Sequence, residues 1–169
     1  VRRALAGALL AIAAPAAAAP PIDARVQKLA DGGDIRTLLH DYGRLLDDRD
    51  LAAFAALFAE QGEWVGGLGT ARGPSAIEVM MRKAFGDVAP GSNHTNFHIL
   101  SNEIVTVDGD AATAWSRWAF VTAGTDGRPA IAMAGHYDDR LVREHGRWRF
   151  ARRTAIPDIG APPATAAGR

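Results

Sequence analysis

The apolar residues of this chain change their spacing once, near Gly86, and that change limits the folds open to it. Before it they recur every three or four residues. Ile35, Leu38, Leu39, Tyr42, Leu45 and Leu46 form one stripe of a helix that the pattern starts at Asp31, with Asp34 as a candidate N-cap. The acidic run "DDRD" ends the stripe, and Asp50 can cap a second helix with Leu51, Phe54, Leu57 and Phe58 inward. "EQGEWVGGLGTARG" reads as a short strand and a turn. "PSAIEVMMRKAF" reads as a third helix, with Pro74 in its first turn and Ile77, Met80, Met81 and Phe85 (or Ala84) facing in.

After Gly86 the period becomes two. "FHILSNEIVTVDGD" closes on Asp108-Gly109, a hairpin signal. "AATAWSRWAFVTA", "AIAMAGHYDDRLVRE" and "RWRFARRTAI" continue as strands, separated by the turns "GTDGRP" and His145-Gly146. Helices first and strands after predict an α+β fold: a cone-shaped, curved antiparallel sheet wrapped over the N-terminal helices and enclosing one pocket.

The ends of the chain differ from this body. Arg2, Arg3, the short apolar run Ala4 to Ala14 and the small residues after it predict a secretory signal peptide over 1–18, cut after Ala18. Export to the periplasm or medium is the expected location. The run is too short and alanine-rich to span a bilayer, which needs roughly 20 apolar residues. We expect a linker at 19–30, the folded domain at 31–157 and a loose tail at 158–169. Formal charge is zero, so bulk electrostatics suggest neither a nucleic-acid nor a membrane-surface partner. The absence of cysteine removes disulfides, thiolate nucleophiles and Cys-based metal sites.

Chemistry enters with "NHTNFHILSN", which carries two histidines four residues apart. On a helix that spacing could hold a metal ion. On a strand it puts His94 and His98 about 13 Å apart, too far to share one ion. No third ligand is evident beside them, so metal binding is not expected. Acid–base work remains, and it suits a histidine whose tautomer a carboxylate fixes. The best-placed acid is Asp47, at the end of the first helix's stripe. From spacing alone, however, the run around it reads first as a solvated helix end. "GGLGTARG" has its third glycine one place late for a dinucleotide loop and reads as a turn. His40 and His145 are expected at the surface; Trp115, Trp118 and Trp148 are expected mostly in the core, and His136 fits either face.

The segments "LLDDRDLAAFAALFAEQGEW", "NFHILSNEIVTVDGDAA" and "GHYDDRLVREHGRWRFARR" resemble the SnoaL-like branch of the nuclear-transport-factor-2-like superfamily. Within it the pattern is similar to gamma-hexachlorocyclohexane dehydrochlorinase, with scytalone dehydratase and the bile-acid dehydratases nearby. Those enzymes use a His–Asp dyad. The family's aspartate, seventeen residues before the tryptophan of the first strand, falls on Asp47 relative to Trp64. Its histidine, four residues ahead of an asparagine, falls on His98 relative to Asn102. The resemblance implies that Tyr42, Leu46 and Trp64 face the pocket, with Trp118, Phe120, Met133 and Tyr137 lining it from the strands. Strand parity agrees for 118 with 120 and for 133 with 137. Arg153 matches a cationic position near the leaving group of the dehydrochlorinase. Tyr42 has no counterpart there but matches the bile-acid dehydratases.

The resemblance thus implies cofactor-free lyase or isomerase chemistry on a small hydrophobic cyclic molecule, with His98, Asp47 and Tyr42 as catalytic residues. It also implies a homo-oligomer, a dimer or trimer. A non-catalytic module binding a small hydrophobic ligand, or a purely supporting subunit, would use the same fold.

Overall fold

The computed structural model describes residues 21–160. The expected signal peptide and the end of the expected tail lie outside them. Among the described residues no helix is long and apolar enough to cross a membrane.

Helix α1 (Ile22–Asp47) begins nine residues before Asp31, where the apolar pattern starts it. The expected linker is therefore helical from Ile22. Its Ile22, Val26 and Leu29 are exposed, so no core-facing stripe marks this part. Good helix formers carry it instead. Asp34 lies inside the helix and caps nothing; the residue before the first turn is Pro21. From Ile35 on, the predicted stripe is buried. Asp50 caps α2 (Leu51–Ala55), its carboxylate accepting the Ala53 amide at 3.1 Å. Pro74 opens α3 (Pro74–Phe85), which buries Ile77 and Met81.

Two strands, not one, lie among the helices. β1 (Phe58–Gly66) turns through Gly67 and Leu68 into the short β2 (Gly69–Arg72). Then come β3 (Asn96–Asp108), β4 (Ala111–Ala123), β5 (Pro129–Glu144) and β6 (Arg147–Ile159). The sheet order is β2-β1-β6-β5-β4-β3. The last four strands form the predicted antiparallel meander, but β1 joins β6 in parallel, so the sheet is mixed rather than wholly antiparallel. That pairing brings Trp64 beside Arg153. His145 and Gly146 both take positive φ, as a two-residue hairpin turn with right-handed twist requires.

β6 runs on through Asp158 to Ile159, beyond the expected domain end at 157. Pro157 is tolerated because β1 pairs with β6 only as far as Thr154, so that edge needs no amide donor there. Register shifts in β3, β4–β5 and β5–β6 bend the sheet around α1. The shift in β3 falls beside Asn102, whose φ of 57° lies in the left-handed region that asparagine tolerates. Between sheet and helices sits the core, where Tyr42, Phe54, Phe58 and Phe150 pack ring against ring at 4.7–6.5 Å.

Candidate active site

Asp47 is the last residue of α1, and His98 is the third residue of β3. The helix end lies against the strand start, and two bonds join them. His98 Nδ1 is 2.6 Å from Asp47 Oδ1, and the His98 amide donates to Asp47 Oδ2 at 2.8 Å. The carboxylate thus holds one histidine by both ring and backbone. A carboxylate accepts only, so in the neutral imidazole the tautomer that fits this contact has its proton on Nδ1 and the lone pair on Nε2. The imidazole also packs on Phe120, ring centroids 4.9 Å apart.

His98 opens onto a cavity of about 380 Å³. Of the site residues expected from the sequence, Tyr42, Leu46, Trp64, Trp118, Phe120, Met133 and Tyr137 line it with His98. Tyr42 and Leu46 are one helical turn apart on α1, and the strand residues come from inward-facing positions. Asp47 stands behind His98, off the cavity wall.

Arg153 is placed differently from its expected role. It is fully buried and does not line the cavity. Its guanidinium makes two bonds to Asp139, at 2.8 and 2.7 Å, and sits 4.0 Å from the ring centroids of both Tyr42 and Tyr137. The register explains the capture: Asp139 and Arg153 are directly opposite on β5 and β6. The cavity wall is formed by the tyrosines, and Arg153 lies underneath them.

The remaining lining comes from Gly67, Leu68, Met81, Phe85, Ala155 and Pro157. Met81 and Phe85 were readable as the inward face of α3, but nothing in their spacing distinguishes cavity wall from core. Gly67 and Leu68 lie in the β1–β2 turn, which the glycines already marked as a turn.

The walls are apolar, and the polar groups are few. Trp64 Nε1 donates to Tyr42 Oη at 2.8 Å, and Trp118 Nε1 donates to the His136 carbonyl at 3.1 Å. Burial raises the pKa of Tyr42 despite the nearby Arg153 charge, and it raises that of Tyr137 well above the ordinary phenol value. Both hydroxyls are therefore protonated at neutral pH and act as donors. His94 is exposed in the loop before β3 and bonds to neither dyad residue. His136 faces away from the cavity and pairs with Asp158 at 3.0 Å. His40 bonds to Glu103 at the surface, and His145 is exposed in its turn. Among the described residues no three His, Cys, Asp or Glu side chains converge as a metal site would need.

The SnoaL-like domain family matches residues 27–154, nearly the whole folded part. The chain belongs to this family. No curated protein matches this SnoaL-like chain in sequence. Solved structures do. An NTF2-like protein with a cystatin-like fold from Novosphingobium aromaticivorans is 28% identical, with a TM-score of 0.70, covering 83% of this chain and 90% of its own. LinA is 22% identical with a TM-score of 0.69, covering 83% and 95%. A candidate scytalone dehydratase of N. aromaticivorans is 24% identical with a TM-score of 0.65, covering 80% and 89%. The last two likenesses show the fold alone. Family, fold and cavity together make this SnoaL-like protein a small-molecule enzyme or a small-molecule binder.

Proposed function

We propose that the protein is a cofactor-free lyase, eliminating water or halide from a small hydrophobic cyclic substrate. The observation that carries this reading is the 2.6 Å bond from His98 Nδ1 to Asp47 at the edge of an apolar cavity. Nε2 of neutral His98 removes a proton from a ring carbon. The C–H electron pair becomes the new double bond, and the neighbouring carbon–oxygen or carbon–halogen bond breaks with its pair on the leaving atom. The Tyr42 O–H donates a hydrogen bond or its proton to a departing oxygen. Asp47 offsets the imidazolium charge and holds the ring in place. Apolar walls exclude water that would otherwise compete for these donors. An isomerase would differ only in returning the proton to another carbon.

His98→Ala should abolish turnover, and Asp47→Asn should lower it by roughly two to four orders of magnitude with the fold intact. The screen is a panel of small cyclic alcohols, β-hydroxyketones and halides, followed for alkene and released water or halide. Tight binding without product, tolerant of His98→Gln, would replace the lyase with a binding module.

The same reading includes self-association. Ile99 and Ile104 are exposed on the sheet face turned away from His98, where a second copy could cover them. Light scattering of Ile104→Glu against the native chain tests this: a monomer in both would remove the homo-oligomer.

A further inference from the structure

At the end of α1, where the regular helical bonds run out, three carbonyls in a row accept donors from outside the helix. Leu46 O accepts Arg49 Nη1 at 2.5 Å, Asp47 O accepts Asn93 Nδ2 at 2.9 Å, and Asp48 O accepts the Gly91 amide at 2.6 Å. Asn96, two residues before His98, closes the set. Its Oδ1 accepts Arg49 Nη2 at 2.9 Å and Asn93 Nδ2 at 3.2 Å. The Arg49 guanidinium also lies 4.6 Å from the centroid of Phe85, which walls the cavity. Arg49 is 7% exposed, and its φ of 61° is one a non-glycine residue rarely adopts.

Among the described residues, the hydrogen bonds to the Asp47 carboxylate come from His98 alone. No third group fixes that side chain, so its placement depends on where its backbone is held. We propose that Arg49, acting with Asn93 and Asn96, is the positioning residue that sets Asp47 against His98 and ties that setting to the Phe85 wall. This rests on the acid–base reading of the dyad. One fork reaches the helix end, the root of the histidine strand and the last turn of α3. A lysine there keeps charge and length but loses the two-pronged geometry.

The test is nitrogen-15 NMR of the histidines in the full chain, which needs no substrate. In the native protein the His98 ring should be the Nδ1–H tautomer, with a downfield, slowly exchanging Nδ1 proton. Arg49→Lys and Asn93→Ala should keep the circular dichroism spectrum. Their Nδ1 proton should exchange roughly tenfold faster, with a mixed tautomer, because a charge-assisted bond is sensitive to small displacements. Variants that lower the thermal midpoint yet leave the His98 resonances of the folded protein unchanged would make Arg49 mere glue and overturn the proposal. If Arg49→Lys fails to fold, Asn93→Ala, in the loop before β3, decides alone. A native His98 indistinguishable from His98 in Asp47→Asn would remove the dyad reading itself, and the proposal with it.

Discussion

Trp64 Nε1 donates to Tyr42 Oη at 2.8 Å, so the indole occupies an acceptor site of the tyrosine and not its proton. A hydroxyl has one donor and two lone pairs, and the indole takes only a lone pair. Burial keeps the phenol protonated through the neutral range. Tyr42→Phe should therefore do two separable things. It strands a buried indole N–H, costing about 1–3 kcal/mol in urea unfolding. It also removes the acid, lowering turnover by roughly 100-fold or more. Trp64→Phe keeps the Tyr42 hydroxyl, so it should cost stability with a much smaller loss of rate. Equal kinetic losses would assign Tyr42 to packing.

Asp139 and Arg153 form a doubly bonded pair with both side chains fully buried. Burial raises the Asp139 carboxyl against the pull of Arg153. Removing one partner leaves a charge stranded under the tyrosines. Asp139→Asn alone should cost about 3–5 kcal/mol, and Asp139→Leu with Arg153→Met should cost less than the sum of its parts. A double-mutant cycle in urea measures the coupling; additive losses would mean that the two act independently.

How much of this was legible depends on which interaction places each residue. The stripe from Ile35 to Leu46 and the Asp50 cap are local, and a 3.6-residue period exposes them directly. Parity likewise put Trp118 and Phe120 on one strand face. The start of α1 was hidden because Ile22, Val26 and Leu29 bury nothing and so mark no core side. The parallel pairing of β1 with β6 spans some ninety positions, and no periodicity records it. Within "DDRD", Asp47 differs from Asp48 only by one helical step; what selects it is the distant His98. The fate of Arg153 was hidden for the same reason. Whether it reaches the cavity or Asp139 is decided by strand register, which the sequence pattern leaves open.

Asp31 ties the first half of α1 to the β5–β6 hairpin. It is 4% exposed and accepts Arg143 Nη2 at 2.6 Å and Gln27 Nε2 at 3.1 Å. The Arg143 bond holds its carboxyl below the ordinary value of 3.8. A carboxyl lowered on folding binds fewer protons in the folded than in the unfolded chain. Its stabilisation is thus complete above the ordinary value and is lost as pH falls through the folded one. Asp31→Asn should lower unfolding free energy by about 1–3 kcal/mol at pH 7. The gap between native and variant should narrow below about pH 4. A gap that stays constant with pH, in urea titrations across that range, would assign the loss to packing.

Met133 faces Phe120 across β5 and β4, and both line the cavity. Met133→Trp should narrow the 380 Å³ space without changing the β3–β4 pairing that carries His98 or the helix end that carries Asp47. Overpacking a closed core costs about 1–3 kcal/mol. Here the added ring enters open space, so the loss should fall at the low end. The measurement is the thermal midpoint with and without a small cyclic ketone. A ligand at about a hundred times its Kd stabilises the native chain by roughly 2.7 kcal/mol. Met133→Trp should lose that gain entirely while keeping the native His98 resonances. A variant that still gains would place the ligand elsewhere. The candidate is the open hollow beside Asp47, lined by Asn93, His94, Phe97 and Thr122. In that case the ligand would sit away from the cavity onto which His98 opens, and elimination inside a dry cavity would no longer describe this protein.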